Sequence, residues 1–346
     1  MTKTDISVII PVYNVEAYIE ACLRSVIEQE HQGFRIECII VDDCGYDNSM
    51  DVVRRIIRNY DGDIKFKIIE HDKNGGPSAA RNTAIRAACG QYVTFLDSDD
   101  RLLPGALSGM SQLTAKYPGV DIVQGEVRLN QPNEFLSSVL EISSKKLPTY
   151  ISGINTARHT LLFDVPVTSW GKFIRRDFII SNDLFFTEDM IVHEDDMWSI
   201  CASQYIETIA FYFTPFYYYN NNITNSLTQK SDKTKSLIGR TALISKAAEC
   251  YSIKPCLDYY EYLSQRLDFV NKSEIWKFVK NRKTANKAIV EMRHSVVKAN
   301  CPLPLKLAAS YFNLPTAIGA NRIILPMFRR LSGLFKKYYI HKFNNN

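Results

Sequence analysis

The chain has 346 residues and eight cysteines, Cys22, Cys38, Cys44, Cys89, Cys201, Cys250, Cys256 and Cys301, none of them in a C-x-x-C pair. That excludes a zinc ribbon or a thioredoxin-type motif. The thiols read as reduced core residues of a cytosolic protein. No stretch offers the ~18 uninterrupted apolar residues of a spanning helix. The opening MTKTDISVIIPVYN does not read as a secretory signal, because its apolar run is short and Pro11 and Asn14 interrupt it. Repeats and low-complexity blocks are absent. Acidic residues are missing from positions 301–346, which carry seven lysines and arginines. The first 300 residues hold 35 basic against 37 acidic groups, so the net charge of +5 resides in the tail. A 46% hydrophobic, 23% charged chain of this length can build one large core or two smaller ones.

The first hundred residues alternate strand and helix patterns. Short apolar runs at 6–12, 35–41, 64–68 and 91–96 predict four strands. Between them, 15–30 places Tyr18, Cys22, Val26 and Ile27 on one helical face. Ser49 is expected to cap a second helix with Val52, Val53, Ile56, Ile57 and Tyr60 in its stripe. Pro77 is expected to start a third, running to about Cys89. Strands separated by helices imply parallel pairing and a covered α/β sheet. Tyr13 and Asn14 follow the first strand, Asp42 and Asp43 the second, Asn74, Gly75 and Gly76 the third. Asp97, Ser98, Asp99 and Asp100 follow the fourth. In an open parallel sheet these ends share one edge, where ligands bind. Farther on, 131–150 looks like an insertion or lid and Phe185-Phe186 like a strand. FYFTPFYYY at 211–219 looks like a strand broken by Pro215, and 232–296 looks helical.

The carboxylates suggest chemistry. In FLDSDD, Asp97 and Asp99 at i and i+2 can share one hard divalent cation, whose charge offsets their repulsion; the plainer reading has Asp99 and Asp100 capping a turn. VDD at 41–43 can hold a nucleobase or ribose, or cap a helix. NGGPSAARN offers backbone N–H groups to an anion at a helix start, or forms an ordinary turn. HEDDMW provides adjacent carboxylates, one of which can serve as a base toward a hydroxyl nucleophile; alone, it is a solvated acidic turn.

Taken in order, SVIIPVYN, VDD, NGGPSAARN, FLDSDD and EDDMW resemble the family 2 inverting glycosyltransferases of bacterial surface-polysaccharide type, over roughly residues 5–225. SWGKFIRRDF at 169–178 is similar to the Trp-x-Lys segment that precedes the acidic motif in many bacterial members. The resemblance implies the GT-A nucleotide-diphospho-sugar transferase fold: a mostly parallel central sheet flanked by helices, with a C-terminal helical extension. The domain expectation is a catalytic domain at 1–230, with a helical extension at 231–300 and a basic amphipathic tail at 301–346 read from their own residue patterns. By the same resemblance Pro11 and Tyr13 flank the nucleobase, Asp43 bonds it, and Arg81 approaches base or phosphates. Asp97 holds ribose or metal, and Asp99 binds Mg²⁺ or Mn²⁺ on the diphosphate. Asp195, beside Glu194, deprotonates the acceptor. The donor is a nucleotide-diphospho-sugar, a UDP-sugar in preference. The acceptor is a glycan or lipid-linked oligosaccharide. Members often read VDDGSTD where this chain has VDDCGYD, which leaves the loop contacts and nucleotide preference open.

The tail mixes apolar residues with its seven cations, which suits an anionic membrane surface and a peripheral place on the inner face of the membrane; the alternative is a helix packed on the catalytic domain. No nucleic-acid module is present. Two rivals remain. A sugar-nucleotide pyrophosphorylase needs a glycine-rich loop after strand one, and PVYNVE has no glycine. A catalytically silent nucleotide-sugar-binding or scaffold protein would not need both Asp99 and Asp195.

Overall fold

The computed structural model describes residues 5–131, 133–142, 146–190, 192–222, 233–253, 255–256, 258–259, 261–263, 265–266, 282–299 and 301. The chain divides into two compact units, Met1–Met190 with Glu194–Thr224, and Ile191–His193 with Asn225–Asn346.

The first unit is an α/β sheet with helices on both faces. It begins β1 (Ile6–Val12), α1 (Ile19–Ile27), β2 (Ile36–Asp42), α2 (Ser49–Arg58), β3 (Lys65–Glu70), α3 (Gly76–Ala87) and β4 (Tyr92–Phe95). These strands lie in the order β3-β2-β1-β4, all parallel. Alternation along β1 feeds two cores: Val8, Ile10 and Val12 meet α1 and α2, while Ile9 meets Ala80, Ala84 and Ile85 of α3. Each large aliphatic side chain so buried contributes about 1.5–3 kcal/mol.

Helix α1 starts later than the pattern predicts. Residues 15–18 form a turn, with Tyr18 N donating to Val15 O at 2.8 Å. Ser49 is the reason. It is the first residue of α2 rather than its cap, and its hydroxyl accepts from Val15 N at 2.9 Å.

The sheet continues through β5 (Arg101–Leu102), α4 (Ala106–Lys116), β6 (Ile122–Leu129), α5 (Glu134–Leu140) and β7 (Tyr150–Ser152). Next come α6 (Ile154–His159), β8 (Lys172–Arg175), α7 (Arg176–Ser181), α8 (Glu194–Ala202) and β9 (Thr208–Tyr219). The order runs on from β4 as β8-β6-β9-β5, with β7 on β9. Strand β8 is antiparallel to β4 and β6, and β9 is parallel to β6. Among the described residues β1, β2, β3, β4, β6 and β9 therefore run one way, and β5, β7 and β8 the other.

Three expectations change here. The 131–150 segment is not a lid over its described length: Asn133 caps α5 through Leu136 N at 2.9 Å, and Leu140 and Ile142 are buried. Phe185-Phe186 is loop, with Phe186 buried. Pro215 does not break β9; the register against β6 shifts around Gly125 and Glu126 to absorb it.

That bulge leaves no room at Gly125. An added Cβ would lie 2.2 Å from Cε1 of Phe216, a ring with no exposure. Gly125→Ala is expected to cost on the order of 2 kcal/mol by overpacking, read from the urea midpoint; an unchanged midpoint would contradict the tight approach.

In the second unit, helices Lys233–Ile253 and Arg282–Lys298 pack on each other. Ala285, Ile289, Met292 and Val296 are buried at helical spacing. The tail expectation falls on 301–346, of which only Cys301 lies within the described residues. No helix among the described residues is long and apolar enough to cross a membrane. Cys22, Cys38, Cys44 and Cys89 carry free thiols; Cys22, Cys38, Cys250 and Cys301 are buried, whereas Cys44 and Cys89 are exposed.

Candidate active site

The carboxyl ends of the parallel strands share one edge, so the loops after β1, β2, β3 and β4 meet there. Strand β8 runs the other way, which brings its beginning to the same edge, and β9 ends there.

Loops one and two are tied together. Tyr13 is 44% exposed and meets Tyr46 edge-on at 6.3 Å. Asn14 and Cys44 take left-handed φ values of 52° and 60°, and Asn14 Oδ1 accepts from Tyr46 N at 2.8 Å. Cys44 thus holds a left-handed turn, a conformation that favours glycine. Pro11 is half-buried in the ladder opposite Val41.

Asp43 is buried and its oxygens are in use. Oδ1 accepts from Gly75 N at 2.8 Å and lies 2.8 Å from His71 Nδ1, while Oδ2 accepts from Gly76 N at 2.7 Å. The carboxylate caps α3, where the helix dipole favours negative charge. Asp42 is half-buried at the same edge, with Oδ1 accepting from Gly45 N at 3.0 Å.

Arg81, one turn into α3, is the hub. Its side chain is 6% exposed, and Nη2 donates to Asp97 Oδ1 at 3.0 Å. Nη1 lies 3.4 Å from Glu194 Oε1 and 3.8 Å from Asp195 Oδ1. The guanidinium also sits 5.4 Å from the Phe186 ring. Next to it, Asn82 fixes that segment by accepting from Phe186 N and donating to Phe186 O. One cation therefore joins FLDSDD to HEDDMW.

The three carboxylates after β4 differ in their surroundings. Asp100 is buried, accepting from Tyr217 Oη at 2.7 Å and Asn220 N at 2.7 Å. It anchors β9. Asp97 turns to Arg81. The half-buried Asp99 carboxylate receives no side-chain hydrogen bond among the described residues, and burial together with Asp97 pushes its pKa up to about 6. Such a pair of hard oxygen donors suits Mg²⁺ or Mn²⁺. No cluster of three His, Cys, Asp or Glu side chains among the described residues could hold a metal ion. Asp97 and Asp99 therefore fit a cation that completes its shell with water and substrate phosphate.

Glu194 and Asp195 open α8. Asp195 Oδ2 accepts from Ser169 N at 2.9 Å, and Oδ1 is buried without a hydrogen-bond partner. Burial raises both acids, Glu194 to about 7, against the opposing pull of Arg81. An ionisable oxygen with no donor is a ready acceptor for a proton.

Three groups escaped notice as site residues in the sequence. Trp170 stacks on Tyr217 at 4.6 Å and on Tyr219 at 5.1 Å, behind Asp97 and Asp100. Lys172 is 1% exposed beneath the turn that carries Ser169. His71 holds Asp43. The Trp-x-Lys spacing was the one available signal for the first two.

The model of Glycosyl transferase family 2 matches residues 7–179. The chain is 31% identical to EpsH of Bacillus subtilis (strain 168) over 237 residues, 67% of this chain and 65% of EpsH. Among solved structures, Staphylococcus aureus TarS 1-349 in complex with UDP-GlcNAc superposes with a TM-score of 0.61 at 18% identity, covering 89% of this chain and 92% of that one. The mannosyltransferase PcManGT from Pyrobaculum calidifontis, in complex with GDP-Man and Mn²⁺, gives 0.53 at 19% identity over 98% and 86%. At those identities the structural likenesses establish the GT-A fold. With half its length matching the family model, the chain belongs to glycosyl transferase family 2.

Proposed function

We propose that this chain transfers a sugar from a nucleotide-diphosphate donor to a hydroxyl of a glycan or lipid-linked acceptor in bacterial surface-polysaccharide synthesis, with inversion at the anomeric carbon. The observation that carries the reading is Asp195 Oδ1, a buried oxygen with no donor, joined through Arg81 to the edge that holds Asp97 and Asp99. UDP is the favoured nucleotide, in keeping with the UDP-GlcNAc bound by TarS. The Mn²⁺ in PcManGT favours a divalent ion at Asp97 and Asp99. Such an ion would offset charge on the departing diphosphate.

The residues take the following parts. Tyr13 and Pro11 offer a face to the base. Asp43, held at Gly75 and Gly76, bonds the base beside the Tyr13–Tyr46 pair. Asp195 Oδ1 takes the proton from the acceptor hydroxyl, and the hydroxyl's own oxygen attacks the anomeric carbon as the bond to the diphosphate breaks. Arg81 positions Asp97, Glu194 and Asp195. The basic, apolar tail would bring the enzyme to an anionic membrane surface where a lipid-linked acceptor resides.

Transfer or slow hydrolysis of UDP-sugars with Mn²⁺, followed against pH, tests the reading. The base must be ionised, so kcat/KM is expected to fall as pH drops, with a midpoint above the ordinary carboxylate range because burial raises both acids. Glu194→Gln removes a neighbouring negative charge, so Asp195 loses its proton at lower pH and the midpoint moves down. A rate independent of pH through the weakly acidic range, or a midpoint that moves up, would contradict the assignment.

A further inference from the structure

Lys172 is not needed by the mechanism just given, and its placement is costly. The ammonium is 1% exposed, and no carboxylate forms an ion pair with it among the described residues. Burying a cation without a paired anion is strongly unfavourable. Its environment answers only part of that cost. Nζ donates to Pro166 O at 2.7 Å and to Thr168 O at 2.7 Å. Burial pulls its pKa down to about 7, and Asp195 is the charge that opposes the fall.

The two carbonyls belong to one turn, and that turn makes two deliveries. It presents Ser169 N to Asp195 Oδ2 at 2.9 Å. It also lays Trp170 on Tyr217, the residue whose hydroxyl bonds Asp100. Thr168 Oγ1 closes the turn on Trp170 O at 2.9 Å. Gly171, with φ at 84°, reverses the chain into β8, and its carbonyl accepts from Gly125 N at 2.9 Å. The lysine thus stands where a plain apolar side chain would fill space at lower cost, and it grips the peptide segment that touches Asp195.

We infer that Lys172 is a positioning residue for Asp195: by gripping the carbonyls of Pro166 and Thr168 it holds the Ser169 N–H on Oδ2, which fixes the plane of the carboxylate that serves as base. This rests on the reading of Asp195 as the base. A carboxylate with one bound oxygen has a fixed plane, whereas an unbound one rotates. A misplacement of about 1 Å at a reacting group costs roughly a hundredfold in rate. The group acts through Asp195 and touches neither donor nor acceptor.

Lys172→Met keeps the length and loses both hydrogen bonds. Its kcat is expected to fall about tenfold to a hundredfold, with the affinity for UDP in the presence of Mn²⁺ preserved by calorimetry. In the Asp195→Asn background the same substitution is expected to cause no further loss, because the effect passes through that carboxylate. Lys172→Arg, which can still donate to both carbonyls, should recover part of the rate. A readout free of activity is amide exchange at Ser169: protected in the wild type, it should exchange at least about tenfold faster in Lys172→Met. An unchanged kcat, additive losses in the double variant, or unchanged Ser169 protection overturns the inference. If instead Asp195→Asn itself leaves transfer intact, the base assignment fails, while the exchange result still decides whether Lys172 holds the turn.

Discussion

Asp195→Asn is expected to lower the transfer rate by roughly a hundredfold to ten-thousandfold while UDP still binds. The substitution keeps the shape of the side chain and an oxygen for Ser169 N, and it removes the only function the mechanism asks of Asp195, acceptance of a proton. It is also expected to leave the protein no less stable. The sign follows from burial, which raises the folded-state pKa of Asp195 above its unfolded value. A carboxylate of that kind favours folding at low pH and opposes it as pH rises through the folded pKa. Taking away its charge at neutral pH therefore relieves a cost. A dead variant that melts early, or a variant that still transfers, would each point away from a base at this position.

Arg81→Met is expected to do the opposite to stability. It leaves Asp97, Glu194 and Asp195 facing one another without their common cation. Removing one partner from a buried ionic network typically costs about 3–5 kcal/mol. Here the loss depends on pH. Without Arg81, Glu194 and Asp195 are pushed farther up, and raised carboxyls oppose folding increasingly as pH rises. The stability deficit against wild type should accordingly be larger in mildly alkaline than in mildly acidic buffer, measured by urea unfolding at both. Asp97 stands at a site edge with 29% of its side chain exposed, so water relieves part of the loss and the lower end of the range is expected. A deficit below about 1 kcal/mol at both pH values would make the cluster an ordinary solvated set of ion pairs.

Much of this site could be read before any coordinates. Short apolar runs marked β1 to β4, and parallel pairing placed Tyr13, Asp43, Gly75 and Asp97 at one edge without further information. The antiparallel half was harder. Strand β8 is four residues long and opens on a buried lysine, so its pattern is too short and too polar for periodicity to find. The Tyr217–Asp100 bond links residues 117 positions apart, and nothing local to either motif announces it. Adjacent acids posed a different problem. In VDD, Asp43 continues the ladder by donating its N–H to Val12 O and turns its side chain down to Gly75 and Gly76. Only the end of the pleat decides which of two neighbouring carboxylates turns inward and which stays at the rim. For the same reason Ser49, a good cap by type, became the tether of residue 15 once Asn48 took the cap position.

The claim at the centre is that the carboxyl edge of the sheet holds a nucleoside diphosphate through a cation at Asp97 and Asp99. Calorimetric titration of UDP, with Mn²⁺ and after its removal by chelation, tests it most directly when wild type and Asp99→Asn are compared. Wild type is expected to bind UDP with Mn²⁺, and to lose at least about tenfold in affinity, some 1.4 kcal/mol, on removal of either the ion or the Asp99 charge. Equal affinity for UDP with and without the metal, in both proteins, would contradict it.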